Sequence, residues 1–116
     1  MGTAIVVFHK AGNRSLERES MPVTRLPETR TEVITTGAAS VATTLAAIKD
    51  SGASNYDGGF VTIFAVGANL WVTSGLAPVA AKPAAGASGS GHPIISGQSQ
   101  TFAVAHNEKI AAIEWA

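Results

Sequence analysis

Phe60-Val61-Thr62-Ile63-Phe64-Ala65-Val66, then Gly67-Ala68-Asn69, then Leu70-Trp71-Val72-Thr73-Ser74-Gly75, is the stretch whose reading sets the fold class. The first run is β-branched and aromatic, the side chains that suit a pleated strand. Phe60, Thr62, Phe64 and Val66 fall on one face, and Val61, Ile63 and Ala65 on the other. Both faces are apolar, which is the pattern of an inner strand or of one covered on both sides. The Gly-containing loop that follows fits a hairpin, with Leu70–Thr73 as the returning strand. Just upstream, Asn55-Tyr56-Asp57-Gly58-Gly59 is a turn signal, because Asp-Gly-Gly supplies positive φ at little steric cost.

The same reading extends towards the C-terminus. Pro93-Ile94-Ile95-Ser96-Gly97-Gln98 leads into Gln100-Thr101-Phe102-Ala103-Val104-Ala105. His106-Asn107-Glu108-Lys109 turns the chain, and Ile110-Ala111-Ala112-Ile113-Glu114-Trp115 reads as a final strand, with no tail domain expected after it. The last third is therefore expected to form two strand pairs around a loop. That loop, Pro83-Ala84-Ala85-Gly86-Ala87-Ser88-Gly89-Ser90-Gly91, reads as mobile by its composition.

Towards the N-terminus, Ala4–Phe8 and Glu32–Thr36 read as strands. Val41–Ile48 is ambiguous, since alanine favours helix while Val41 and Thr43-Thr44 favour strand; strand is expected there because its neighbours are strands. Residues 11–32 differ from the rest. They carry Pro22, Pro27 and scattered apolar residues, and they read as an extended arm. One helical turn could start at Ser15, limited by Pro22. A structureless segment of this length is unusual inside a compact domain and suits a path along another subunit. Short strands separated by Gly- and Asn-rich turns indicate an all-β chain, an antiparallel β-sandwich or β-barrel of jelly-roll-like form. The expected division is an N-terminal strand and arm over residues 1–32 and the sandwich or barrel over residues 33–116.

The chain has 116 residues, eight basic and eight acidic, and no cysteine. One domain is the upper limit at this length. Zero net charge gives no global field to attract nucleic acid or an acidic membrane. Without cysteine there is neither a disulfide nor a thiolate metal site. The N-terminus lacks the basic and apolar regions of a signal peptide, and no stretch approaches the roughly 20 apolar residues of a membrane helix, so folding in a cytosol is expected. Charge is unevenly placed: beyond Val33 only Lys49, Asp50, Asp57, Lys82, Glu108, Lys109 and Glu114 are ionised. So few charges suggest either a Ser/Thr/Asn surface or one covered by other chains.

No arrangement of residues marks catalysis. His9, His92 and His106 lack metal-ligand spacing, with His9 following a strand, His92 in a flexible loop and His106 in a tight turn. Asp57 reads as a turn residue, Glu108 as a turn cap and Glu114 as an outward residue on an edge strand. There is no G-x-S-x-G elbow, no P-loop and no dinucleotide fingerprint, and Ser88 and Ser90 lie in a floppy loop. No cofactor is expected. Asn13-Arg14-Ser15 matches a glycosylation acceptor, which means little without export. Arg14, Arg18, Arg25 and Arg30 alternate with glutamates, which disfavours a nucleic-acid stripe and suits intersubunit ion pairs. With Met21 and Leu26 they are the expected interface residues of the arm. Trp71 is expected in the core. Trp115 either closes the core or anchors in a neighbour's pocket.

From Val33 onward the chain resembles a group of small virion proteins of tailed bacteriophages. The likeness rests on four stretches: Thr35-Thr36-Gly37-Ala38-Ala39-Ser40, Trp71-Val72-Thr73-Ser74-Gly75-Leu76-Ala77-Pro78, Pro93-Ile94-Ile95-Ser96-Gly97, and Phe102 to Ile113 with its Lys109-Ile110-Ala111 step. The arm has no counterpart in it. The resemblance implies a capsid decoration (cement) protein, a homotrimer bound to the major capsid protein and assembled in the host cytoplasm. A tail, neck or fibre component that contacts a host glycan is the alternative, with Tyr56 as its one loop aromatic; a small enzyme is the third reading.

Overall fold

The structure, a computed structural model, describes residues 2–9, 30–47, 59–105 and 107–115. Most of the arm, with Arg14, Arg18, Met21, Arg25 and Leu26, lies outside them, as do the helical turn at Ser15, the Asn55–Gly58 turn with Tyr56, and His106. The described chain is all-β: β1 (Thr3–His9), β2 (Arg30–Thr35), β3 (Val41–Ala42), β4 (Phe60–Val66), β5 (Leu70–Gly75), β6 (His92–Ile94), β7 (Ser99–Ala103) and β8 (Lys109–Glu114). Two antiparallel sheets of order β2-β1-β4-β7 and β3-β8-β5-β6 pack face to face as a β-sandwich.

The core forms between the inner faces. Ala4, Val6 and Phe8 of β1, Ile34 of β2, and Val61, Ile63 and Ala65 of β4 meet Leu70 and Val72 of β5, Ile94 of β6, and Ile110 and Ala112 of β8. Strict alternation along β1 and β4 places these residues inside.

The pairings are nested. β5 pairs with β6, β4 with β7, and β3 with β8, as though one long hairpin had been wrapped into two layers. The next pair outward joins β2 to β1, which enters from the N-terminal end. This is an eight-stranded jelly roll whose last strand has moved to the start of the chain. β1 lies between β2 and β4, inside its sheet, so the boundary expected after residue 32 falls within β2.

Four expectations are corrected. β4 and β5 do not form a hairpin. Both hydrogen-bonding edges of β4 are taken, by β1 and β7, so Gly67–Asn69 carries the chain across to the other sheet. Residues 104–108 likewise cross between sheets rather than pairing β7 with β8, and the Glu108 carboxylate accepts the Ala105 N–H at 2.8 Å as a turn cap. The 41–48 strand shrinks to Val41–Ala42. Its edge continues through Thr43 N–H to Ile110 O and Ala47 N–H to Glu108 O, which leaves two extra residues bulged out. The bulged N–H groups of Thr44 and Leu45 point to the Glu32 carboxylate of the other sheet at 2.8–3.0 Å. Finally, the segment that carries the Ala/Gly/Ser loop is tied to the second sheet near both ends, at Ala80 and Ser90. The segment between β5 and β6 folds back over the outer side of the second sheet. There Ala80 packs with Trp71, Ala111, Ile113 and Trp115, and Trp71 Nε1 donates to Ser90 O at 2.9 Å.

Candidate interaction surface

The first sheet's outer face is built by the residues that alternate with the core set. Register aligns them in rows: Val33, Ile5, Phe64 and Ser99; Thr31, Val7, Thr62 and Thr101; Thr35, Thr3 and Val66; His9, Phe60 and Ala103. The middle of this face is aliphatic and aromatic, and its margins are largely Thr and Ser. Val33 is 61% exposed, Val66 47% and Phe64 40%. No Asp, Glu, Lys or Arg stands in any of the rows. His9 is the one ionisable side chain there. Its Nε2 lies 3.0 Å from Thr62 Oγ1, and its ring stacks on Phe60 with centroids 6.0 Å apart. Burial holds its pKa below the ordinary histidine value, because desolvation disfavours the imidazolium. Thr62 Oγ1 in turn lies 2.9 Å from Thr101 Oγ1, which fixes the hydroxyls laterally.

The opposite side of the sandwich is different. Its Trp71 cluster is roofed by the chain's own loop, and Trp115 meets Trp71 edge-on at 5.8 Å. Trp115 is half-buried against this cluster, while Arg30 is exposed at the start of β2. His92 begins β6 and contacts Phe102 edge-on at 5.5 Å, bridging the sheets, so it is not in a flexible loop. Glu114 does not face out of an edge strand. β8 lies between β3 and β5, and the Glu114 carboxylate accepts Gly2 N–H and Thr36 Oγ1–H, the latter at 2.9 Å. These two donors hold its carboxyl below the usual carboxylate range.

Among the described residues no three His, Cys, Asp or Glu side chains gather into a metal-binding group. What the arrangement offers is a face without formal charge and with an apolar middle, suited to excluding water against another uncharged surface. Sequence reading found β4 apolar on both faces but missed Ile5, Val7 and Val33 as its neighbours. The signal was there in Ile5-Val6-Val7-Phe8, also apolar on both sides, but the rows depend on register between distant strands. Comparison with protein-family models, with curated proteins and with solved structures returned no match.

Proposed function

We propose that this chain is a structural virion protein of a tailed bacteriophage, a decoration (cement) protein that binds the capsid surface through protein–protein contacts. The observation that carries this reading is the outer face of the first sheet: apolar at its centre, hydroxyl-rich at its margins and without a formal charge across four strands. An interface core is depleted in charge in the same way, with a polar rim around it. The nested jelly-roll pairing supports the reading, because viral capsid domains use that architecture, although the architecture alone does not dictate function. In this role each copy binds weakly, and repetition over a lattice of identical sites multiplies the effect.

The test is to locate the chain on virions made from the genome that encodes it, by cryo-EM with a tag inserted in the exposed 84–90 stretch. Sandwich-shaped density repeated over the capsid lattice is the expected result. Density only at the tail or its fibres would overturn it in favour of glycan contact, and absence from the particle would overturn both.

A further inference from the structure

The two sheets end in four edge strands, β2 and β7 on the first and β3 and β6 on the second. An edge presents unpaired N–H and C=O groups and takes up another strand unless something blunts it. Three of the four are blunted. β3 is two residues long and runs into the bulge whose N–H groups go to Glu32. β6 is three residues long; its outward position is Pro93, which has no N–H, and the Pro93 carbonyl oxygen lies 2.7 Å from His92 Nδ1. β2 carries Arg30 and turns the Glu32 carboxylate inward to the other sheet. β7, Ser99-Gln100-Thr101-Phe102-Ala103, has five residues, no charge and no proline. Its register shows which groups are open. Ala65 N–H bonds Gln98 O and Val104 N–H bonds Gly59 O, so Gln100 and Phe102 are the β7 residues that bond β4. Ser99, Thr101 and Ala103 therefore turn their N–H and C=O groups away from the sheet, and among the described residues no hydrogen bond reaches those groups.

We infer that two copies of this chain pair along β7, antiparallel about a two-fold axis at Thr101, so that their first sheets join edge to edge. Thr101 then faces Thr101 of the second copy, and Ser99 faces Ala103 in both directions. Every outward N–H and C=O group of the two strands finds a partner in this register. Charge selects a second copy as the occupant. A two-fold contact sets an edge against itself, and like charges directly opposite are destabilising. From Gly97 to Ala105 the chain carries no charge, and Thr opposite Thr is a favourable cross-strand pair. The undescribed stretches of the chain itself are poorer strands for this edge. Residues 10–29 include Leu16, Met21, Val23 and Leu26, but every five-residue window there holds a charge or a proline. In residues 48–58 the windows free of both, 51–55 and 52–56, share Gly52-Ala53-Ser54-Asn55, and Gly and Asn are depleted in strands. The contact is made by the backbone edge and leaves the outer face of the first sheet to the contact proposed above. One ladder of five residues is about 17 Å long. It is small beside a standard interface, so the dimer is expected to be reversible. Being two-fold, it is a different contact from the three-copy cluster that the resemblance implies.

Sedimentation velocity on the purified full chain tests this, with circular dichroism to check that each variant is folded. The wild type is expected to sediment as a concentration-dependent monomer and dimer. Thr101→Pro removes an outward N–H and no backbone bond to β4. It is expected to weaken dimerisation by roughly tenfold or more, since the dimer loses both hydrogen bonds at its axis. Thr101→Lys and Thr101→Glu change an exposed position. Each alone is expected to be monomeric, because the axis opposes like charges, and a 1:1 mixture of the two is expected to pair again. Thr31→Lys, at an outward position of β2, is expected to dimerise like the wild type. A wild type that is monomeric at its highest soluble concentration would overturn the inference. So would a folded Thr101→Pro chain that dimerises undiminished, a Lys/Glu mixture that stays monomeric, loss of the dimer in Thr31→Lys, or a trimer that the Thr101 variants leave intact. None of these results bears on where the chain sits on a virion. Failure of the dimer leaves the decoration reading standing, and absence from the particle leaves the dimer standing.

Discussion

At the residue scale, Glu114 ties the two sheets together. It stands on β8 of the second sheet, yet its carboxylate takes hydrogens from Gly2, just before β1, and from Thr36, just after β2, both on the first sheet. Gly2 cannot be replaced there without movement, because a Cβ would come within 2.7 Å of Ala68 Cβ and 2.9 Å of Val66 O. The folded carboxyl titrates below its ordinary value of 4.5, because both donors favour the ionised form. On acidification the unfolded chain therefore takes up this proton first. The stabilisation is fully present above 4.5 and is lost as pH falls through the lower folded value. Glu114→Gln is predicted to be less stable than wild type at neutral pH, and the gap should close as pH drops below 4.5. Urea midpoints for the two chains across pH 3–7 would check it; a gap that is constant with pH would mean that ionisation of Glu114 is irrelevant.

At the scale of elements, the segment joining β5 to β6 shows where sequence reading stops. Ala, Gly and Ser in series predict mobility, since such residues have little surface to bury. The fold places Gly91 at φ +125° against Trp71, where an added Cβ would sit 2.5 Å from Trp71 Nε1 and 2.5 Å from Val72 O. The absence of a side chain is what lets the loop lie on the indole, and that contact spans a distance in sequence that composition does not encode. Gly91→Ala is predicted to cost about 1–3 kcal/mol, through strain at positive φ and loss of the Trp71–Ser90 hydrogen bond. A lowered melting temperature with a red-shifted tryptophan emission would confirm it, while unchanged emission would show that the indole stays covered. The crossings after β4 and β7 were illegible for a related reason. A short turn with a positive-φ residue, Gly67 in one and Asn107 in the other, serves a hairpin and a sheet-to-sheet arch equally well. Edge occupancy decides between them, and that depends on β1 and β7 arriving from far along the chain. The strands β1, β4 and β5 were legible because each is a short run of β-branched, aromatic and other apolar residues next to turn residues. The uncharged face was legible only one strand at a time.

At the scale of the whole molecule, the nested pairing makes the order of strands in the chain partly arbitrary. β1 fills the place that a strand following β8 would occupy, and the two ends already touch: Gly2 N–H reaches Glu114, Gly2 O accepts Thr36 N–H, and Glu114 N–H bonds Gly37 O. Trp115 N–H is held by Asn69 O beside them. A linker of a few residues from Trp115 to Gly2 therefore closes a short loop, whose entropic cost is small. Opening the chain between residues 10 and 29 then yields a permutant in which β1 follows β8, with every pairing unchanged. It is predicted to fold to the same far-UV spectrum and to melt within a few degrees of the parent. Deleting residues 1–32 instead removes an interior strand and half of β2, leaves one hydrogen-bonding edge of β4 unpaired and uncovers the core side chains that Ala4, Val6 and Phe8 pack against, and is predicted to leave no folded monomer. If the permutant fails while the truncation folds, β1 is not part of the wrapped hairpin, and the uncharged face built on Ile5 and Val7 loses its central strand.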